Sequence, residues 1–248
     1  MMADDAPSMD ATDSDALRRE LAAVIPCYNA GDRVHPVVDR VCKELDHVVV
    51  VDDGSTDGAP QRLDTDPIRL ITFAQNRGKG HALLAGFAAA IEEPKVTGVA
   101  VLDADGQHDP RTLPELYRAF RTEQADLVIG TRRIDPAHMP WKSRFGNTMT
   151  VAITAAILGR RIDDTQSGYR IHSRRFVEAI LASVTGGRYE TEMEILVKAI
   201  REGYRIVSVP IATIYEPGNR SSHFHALRDS FLVYKRLFSA AFRGSASK

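Results

Sequence analysis

Four short segments of this chain are mainly apolar, lack strict alternation, and each leads into a cluster of polar residues. A continuously apolar run is typical of a strand that is covered on both faces, as in a parallel sheet. Stretches with helical periodicity separate the segments, such as VHPVVDRVCKEL (34–45) and GHALLAGFAAAIEE (80–93). This alternation predicts an α/β fold with a mostly parallel central sheet and helices on both faces. The four segments are LAAVIP (21–26), VVVVDD (48–53), IRLITF (68–73) and GVAVLD (98–103).

The alternation of strands and helices continues along the chain, and the two terminal segments have patterns that differ from it. Residues 1–19 lack periodicity and are rich in Asp, Ser and Ala, so we predict a disordered leader. Residues 226–248 begin with a pattern typical of an amphipathic helix, and we predict one domain, 20–225, between these ends. Its later elements are a helix over 112–123, a strand over 126–130, helices near 145–158, 173–182 and 191–202, and a strand over 205–215.

The composition excludes several classes of protein. The 248 residues include 32 Lys and Arg and 33 Asp and Glu, and this balance gives no reason to expect nucleic-acid binding. No run of about 18 apolar residues occurs and the N-terminus is acidic, so we expect neither a membrane-spanning helix nor a secretory signal. Cys27 and Cys42 lack CxxC or zinc spacing, and we expect buried free thiols, which suit a reducing cytoplasm.

The polar clusters are expected to meet at one edge of the sheet, because ligands of open α/β sheets bind outside the carboxyl ends of the strands. Taken alone, DDGSTD is equally typical of a turn with a helix N-cap. NRGKG alone is typical of a loop with solvated cations, and it lacks the GxxxxGK[ST] pattern of a P-loop. Their joint placement after successive strands is what predicts a ligand site. The clusters are PCYN (26–29), DDGSTD (52–57), NRGKG (76–80) and DAD (103–105).

Asp103 and Asp105 place two negative charges at the end of a buried strand, where burial disfavours charge. The turn at Asp105 and Gly106 allows both carboxylates to reach one divalent cation, and Gln107 can add a carbonyl oxygen. Such oxygen ligands favour Mg²⁺ or Mn²⁺, with a diphosphate and water completing the coordination. The alternative interpretation is an Asp-rich turn that caps a helix.

Two other sets of polar residues give weaker signals. The acidic residues Glu190, Glu192 and Glu194 in YETEMEILVKAI (189–200) form either a solvated face or part of an active site. Four histidines lack zinc spacing, so we expect surface or loop roles for His108, His172, His223 and His225.

Five motifs follow one another along the chain in an order and spacing that resemble glycosyltransferase family 2 with the GT-A fold, over about residues 20 to 225. The similarity is strongest to the dolichol- and polyprenyl-phosphate sugar transferases. It implies an enzyme that moves mannose or glucose from a GDP- or UDP-linked sugar to a lipid-linked acceptor, with Mg²⁺ or Mn²⁺ as cofactor. The motifs are VIPCYN (24–29), VVVVDDGSTD (48–57), NRGKGHALLAGF (76–87), VLDADGQHDP (101–110) and DTQSGYR (164–170).

The resemblance also implies roles for individual residues on the donor side. Family members of this type often have PxYNE in the first motif, where this chain has Ala30 in place of Glu, which leaves the base open. DTQ is similar to the glucosyl-transferring relatives and SGYR to the mannosyl-transferring ones, which leaves the sugar open. The implied contacts are Pro26, Tyr28 and Asp53 with the base and ribose, Arg77 and Lys79 beside the nucleotide, Asp103, Ala104 and Asp105 with the diphosphate through a metal, and Gln107 with that metal.

The acceptor decides which further residues matter. Members of the family invert the anomeric carbon in a single displacement, and a hydroxyl acceptor needs a carboxylate base, for which Asp164 is the candidate and Asp163 the alternative. A lipid phosphate is already anionic, so positioning cations matter more. The other classes considered are transfer to a hydroxyl of a glycan or lipid, and a non-catalytic nucleotide-sugar-binding protein. The candidate cations are Arg132, Arg144 and Arg220, with Arg133 and Arg170 as further possibilities.

ALRDSFLVYKRLFSAAFR (226–243) repeats aromatic and aliphatic residues at helical spacing, with basic residues on the flanks. One interpretation is a helix that closes the domain core. The other is a helix that lies in a membrane interface, which predicts peripheral and salt-sensitive binding of a cytoplasmic protein to the inner face of the membrane. The apolar positions are Leu227, Phe231, Tyr234, Phe238 and Phe242.

Overall fold

The structure is a computed structural model and describes residues 10–64, 66–132, 164–165, 167–188 and 190–211. The strands are β1 (Leu21–Cys27), β2 (His47–Asp52), β3 (Ile68–Thr72), β4 (Gly98–Val101), β5 (Leu127–Arg132), β6 (Arg170–Ser173) and β7 (Ile206–Ile211). The helices are α1 (Ala11–Glu20), α2 (Val34–Glu44), α3 (Lys79–Ala90), α4 (Leu113–Thr122), α5 (Arg174–Ser183) and α6 (Glu190–Arg201). Short 3₁₀ helices occur at Gly31–Arg33, Pro60–Arg62 and Pro110–Thr112.

The described strands form one sheet in the order β3-β2-β1-β4-β6-β5-β7. β6 is antiparallel to both of its neighbours, and the other pairs are parallel. The predicted α/β class and mostly parallel sheet are therefore confirmed. β6 was not predicted from the sequence, because its four residues include Arg170 and His172, both of which are buried.

Each face of the sheet is covered by its own set of helices. Alternate residues of β1 point to opposite faces, so that Ala23 and Ile25 join the core under α2 and α4, whereas Ala22 and Val24 join the core under α3, α5 and α6. Helix α3 packs very closely on β1, since a Cβ at Gly86 would lie 2.3 Å from Cγ1 of Val24. This close packing brings the first residue of α3, Lys79, near the ends of the strands.

The predicted disordered leader is wrong for its second half, because residues 11–20 form α1. Asp10 caps the helix, and its side chain accepts a hydrogen bond from the main-chain N–H of Asp13 at 2.8 Å. Leu17 is 2% exposed and packs into the core. One deeply buried apolar residue gives little periodicity, which is why the helix was not predicted. Residues 1–9 lie outside the described residues.

Other predicted elements are confirmed with small shifts at their ends, including β5, α5, α6 and the first part of the strand predicted over 205–215. The helix near 145–158, the amphipathic helix of 226–243 and the boundary after residue 225 lie outside the described residues. Among the helices of the described segments, none combines the length and apolar character needed to span a bilayer.

Candidate active site

The predicted meeting of the polar clusters at one edge of the sheet is confirmed. The strands β1, β2 and β4 are parallel, so the residues that follow them lie at the same edge. Because β6 is antiparallel to β4 and pairs Arg170 with Val101, the segment before β6 reaches this edge from the other direction. A Cβ at Gly168 would lie 2.6 Å from Oδ2 of Asp103. The SGYR motif therefore lies directly against the DAD motif.

Asp103 forms an ion pair with a side chain of the protein itself, whereas the sequence analysis expected a divalent cation to balance its charge. The ammonium nitrogen Nζ of Lys79 lies 2.6 Å from Oδ1 of Asp103. The same Nζ lies 3.1 Å from Oε2 of Glu192, in the first turn of α6. A cation supplied by the chain itself thus pairs with the first carboxylate of the DAD motif. Lys79 was predicted to lie beside the nucleotide, and the structure places it against the residue predicted to bind the diphosphate.

The two carboxylates of the DAD motif have opposite electrostatic environments. Burial raises the pKa of Asp103, but the charge and hydrogen bond of Lys79, together with the charges of His108 and Arg170, outweigh burial and hold this pKa below its ordinary value. The pKa of Asp105 is raised, first by burial and then by the negative charge of Asp103. Oδ1 of Asp105 accepts a hydrogen bond from the main-chain N–H of Gln107 at 3.0 Å. Ala104, between the two aspartates, is buried. Asp105 is the carboxylate that an added cation would stabilise most.

The donor set fits a divalent cation that binds together with a substrate. Within the described residues no group of three or more His, Cys, Asp or Glu side chains converges on one point. Two carboxylates, Asp103 and Asp105, with the amide of Gln107 nearby, are the oxygen ligands that Mg²⁺ and Mn²⁺ accept when phosphate oxygens and water complete the coordination. The chemistry of these residues is therefore consistent with the predicted metal.

Asp53 holds the loop that carries Arg77 and Lys79. Its carboxylate accepts hydrogen bonds from Nδ2 of Asn76 at 2.9 Å, from N of Arg77 at 2.7 Å and from N of Gly78 at 2.9 Å. Burial raises the pKa of Asp53 despite these bonds. The structure thus shows Asp53 positioning the NRGKG loop, and its contact with a ribose stays a prediction.

The end of β1 offers an aromatic face next to the second motif. Tyr28 is 38% exposed, whereas Pro26 is buried within β1. Oδ1 of Asn29 accepts a hydrogen bond from N of Thr56 at 2.8 Å, and N of Asn29 donates to Oγ of Ser55 at 3.0 Å. These bonds join PCYN to DDGSTD and place Tyr28 where a base could stack. The roles of Pro26 and Tyr28 in binding stay predictions.

Asp164 and Arg170, which were predicted to lie on the acceptor side, are both buried. Asp164 is 1% exposed, and its Oδ1 accepts a hydrogen bond from N of Ser167 at 3.1 Å. The guanidinium of Arg170 donates to the main-chain carbonyls of Thr165, Ser167 and Glu192 at 2.8 to 3.0 Å. Arg170 therefore ties the SGYR segment to α6, and it does not fit the expected role of a phosphate-binding cation.

The remaining predicted site residues lie at or beyond the limits of the described segments. Arg132 is the last residue of β5, at the carboxyl edge of the sheet beside the other motifs. Its side chain lies outside the described residues, as do Arg133, Arg144, Asp163 and Arg220.

Two residues of the site and one residue of the core differ from their predictions or were left open. Glu192 was left open between a solvated face and an active site, and its contact with Lys79 favours the site. His108, predicted for the surface or a loop, lies in a loop but is buried, and its ring stacks on Tyr169 with centroids 5.1 Å apart. The prediction for His172 is wrong, because it is buried in β6. His108 had a local signal in its place within DADGQHD, and Glu192 had one in the closely spaced glutamates of residues 190–194, whereas His172 had none.

Comparisons with known proteins identify the family of the chain. Residues 22–181 match the family model for glycosyl transferase family 2. The polyprenol monophosphomannose synthase of Mycolicibacterium smegmatis is 32% identical over 204 residues, which cover 76% of this chain and 75% of that protein. The undecaprenyl-phosphate mannosyltransferase of Micrococcus luteus is 33% identical over 205 residues, which cover 77% of this chain and 82% of that protein.

A solved structure shows the same architecture. The glucosyl-3-phosphoglycerate synthase of Mycobacterium tuberculosis, in complex with Mn²⁺ and uridine-diphosphate-glucose, superposes with a TM-score of 0.73 at 23% identity. The match covers 95% of this chain and 84% of that one, and it confirms the predicted GT-A fold. The family match, spanning more than half of the sequence, settles the assignment. The chain belongs to glycosyl transferase family 2 and is a nucleotide-sugar-dependent glycosyltransferase.

Proposed function

We propose that this protein transfers a hexose, mannose or glucose, from a GDP- or UDP-linked sugar to polyprenyl phosphate, with inversion at the anomeric carbon. The observation that carries the proposal is the convergence of Asp103, Asp105 and Lys79 with the SGYR segment at the carboxyl edge of the sheet. Two relatives above 30% identity bear the names of polyprenol- and undecaprenyl-phosphate mannose transferases, which supports this acceptor and favours mannose.

The site residues placed above each have a part in the proposed reaction. The exposed ring of Tyr28 offers a stacking face to the base. Asp53 fixes the loop so that Arg77 and Lys79 lie on the donor side. Asp103 and Asp105 would hold Mg²⁺ or Mn²⁺, which when bound offsets the negative charge that grows on the departing diphosphate. These residues orient the donor so that its anomeric carbon faces the acceptor.

The environment of Asp164 favours a phosphate acceptor over a hydroxyl acceptor. A general base must reach the proton that it removes, and the Asp164 carboxylate is 1% exposed and accepts a main-chain N–H of its own loop. This geometry suits a residue that shapes the loop. A phosphate oxygen is already anionic near neutral pH and needs no base. Transfer to a hydroxyl is therefore the second candidate.

A transfer assay tests the proposal. The purified protein is incubated with labelled GDP-mannose or UDP-glucose, with Mg²⁺ or Mn²⁺, and with either a polyprenyl phosphate or the matching polyprenol. We expect a labelled lipid only from the phosphorylated acceptor. Equal product from the neutral alcohol would favour the hydroxyl alternative. Binding of a nucleotide sugar without turnover on either lipid would favour the non-catalytic alternative.

The proposal includes peripheral contact of a cytoplasmic protein with the inner face of the membrane, since the acceptor is a lipid. The basic residues in 226–243 would each add about 1 kcal/mol of attraction to an anionic surface. We expect the whole protein to cosediment with anionic liposomes at low salt, and a version truncated before Ala226 to stay in the supernatant. The truncated protein is first checked for cooperative unfolding. Equal recovery of both proteins in the supernatant would contradict the membrane contact.

A further inference from the structure

Lys79 has two carboxylate partners that come from different parts of the fold. Its Nζ lies 2.6 Å from Oδ1 of Asp103 in the DAD motif and 3.1 Å from Oε2 of Glu192 in α6. The side chains of Lys79, Asp103 and Glu192 are 16%, 28% and 16% exposed. One ammonium group is thus shared between a predicted metal ligand and a carboxylate to which no role has been given.

The surrounding backbone confines the ammonium group between these two partners. A Cβ at Gly168 would lie 3.2 Å from Nζ of Lys79, so the main chain of the SGYR segment closes one side. Glu192 is fixed in turn, because its main-chain carbonyl accepts a hydrogen bond from Nη1 of Arg170 at 3.0 Å. Its charge also lies at the amino end of α6, where the helix dipole favours an anion.

Under the proposed function two cations compete for Asp103, namely Lys79 and the divalent metal. Positive charges that share one carboxylate repel each other, and in a partly buried site solvent screens this repulsion poorly. Without a second partner, Lys79 would either stay beside Asp103 and repel the metal or lose its ion pair with Asp103. Glu192 supplies that second partner within hydrogen-bonding distance.

We propose that Lys79 pairs with Asp103 in the metal-free protein and passes to Glu192 when a divalent cation binds, so that Glu192 sets the metal affinity of the DAD motif. Glu192 is then a positioning residue that acts through Lys79. The proposal rests on the metal site of the proposed function. The proposed role differs from that of an acidic residue that attracts cations directly, because the effect of Glu192 on metal affinity requires Lys79.

The test is a double-mutant cycle with Mn²⁺ as the probe, measured from the electron paramagnetic resonance signal of free Mn²⁺ without nucleotide. We expect Glu192→Gln to weaken Mn²⁺ binding by about fivefold or more, since Lys79 then has Asp103 as its remaining partner. We expect Lys79→Gln to bind Mn²⁺ at least as tightly as the wild type. In the double variant, Glu192→Gln should cause no further loss.

Glu190→Gln is the matched control, because it removes the same charge from the same turn of α6. Within the described residues Lys79 forms ion pairs with Asp103 and Glu192 and none with Glu190. We expect it to change Mn²⁺ affinity by less than about twofold. Glu192→Asp, which keeps the charge, should recover part of the loss. If Lys79→Gln and a second variant, Lys79→Met, both fail to unfold cooperatively, the variants of α6 test the inference. A loss of Mn²⁺ affinity in Glu192→Gln that Glu192→Asp partly restores and Glu190→Gln lacks would support it, and wild-type affinity of Glu192→Gln would overturn it.

Two outcomes would overturn this inference and leave the proposed metal site standing. One is an equal loss from Glu192→Gln in the wild-type and Lys79→Gln backgrounds, which would show that Glu192 attracts the metal directly. The other is a Glu192→Gln variant with wild-type affinity. By contrast, a wild-type protein that binds no Mn²⁺, or an Asp105→Asn variant that binds it normally, would overturn the metal site and the inference together.

Discussion

Asp105→Asn is expected to lower kcat/KM for sugar transfer by about 10³-fold or more. The substitution removes a charge whose expected partner is the metal that stabilises the departing diphosphate. Loss of that stabilisation costs several kcal/mol of barrier, and each 1.36 kcal/mol is about tenfold in rate. The measurement is the rate of labelled lipid formation at saturating metal. Full activity of the variant, or of the wild type in excess chelator, would contradict the metal requirement.

The same substitution should not weaken the fold, which separates lost chemistry from lost structure. The pKa of Asp105 is raised by burial and by the charge of Asp103, so its ionised form opposes folding above the ordinary pKa of an aspartate. Asn carries no charge, and we expect an unchanged or higher melting temperature at pH 7 in chelator. Any gain should disappear as the pH falls below the unfolded-state pKa, about 3.9, where Asp105 is protonated in both states.

Asp46→Asn is the control for this experiment. Asp46 precedes β2, at the opposite edge of the sheet from the DAD motif, and its carboxylate pairs with Arg18 in a partly exposed ion pair. An exposed pair of this kind contributes about 0 to 1 kcal/mol to stability. We therefore expect wild-type transfer activity and a small loss of stability, which is the reverse of the result expected for Asp105→Asn.

The parts of the fold that depend on apolar burial could be predicted from the sequence. Val48, Val49, Val50 and Val51 form an unbroken run in β2, and all four are buried. The antiparallel strand β6 depends on a different kind of interaction. Arg170 is charged and 2% exposed, a costly state that three main-chain carbonyls offset. No pattern in the chain shows which carbonyls will converge on one side chain.

The neighbouring histidine shows the same limit. His172 was expected at the surface or in a loop, yet it is buried in β6, where burial and then the charge of Arg170 lower its pKa to about 3. It is therefore neutral and packs as an aromatic residue, with its ring 6.0 Å from that of Phe176 between centroids. A sequence shows a titratable residue, whereas the fold decides whether the residue carries a charge.

In the site, motifs predicted which strand ends matter but not how their charges are balanced. Asp103 and Asp105 were expected to need a cation, and the cation present is Lys79, which lies 24 residues before Asp103 in the chain. Glu192 completes the cluster from a helix of the opposite half of the sequence. These contacts depend on the order of strands in the sheet, which brings α3, β4 and α6 together only in the folded chain.

The choice between a phosphate and a hydroxyl acceptor predicts a ranking of variants. With a phosphate acceptor, Arg132→Gln or Arg220→Gln should reduce transfer by about 10- to 10²-fold, because a charged hydrogen-bond partner of the acceptor phosphate contributes about 1.5 to 3 kcal/mol. Asp164→Asn should reduce transfer by less than about tenfold. The Asn side-chain oxygen can still accept the hydrogen bond from N of Ser167, so the loop keeps its shape.

With a hydroxyl acceptor the ranking reverses, since base catalysis supplies about 10² to 10⁴-fold and Asn cannot accept the proton. The measurement is kcat and KM for the lipid acceptor in the three variants, together with their melting temperatures. An effect of the Arg variants on the KM for the lipid, with little change in the KM for the nucleotide sugar, would place these cations on the acceptor. An Asp164→Asn variant that loses turnover more than either Arg variant while it still binds both substrates would contradict the phosphate acceptor and return Asp164 to the role of base.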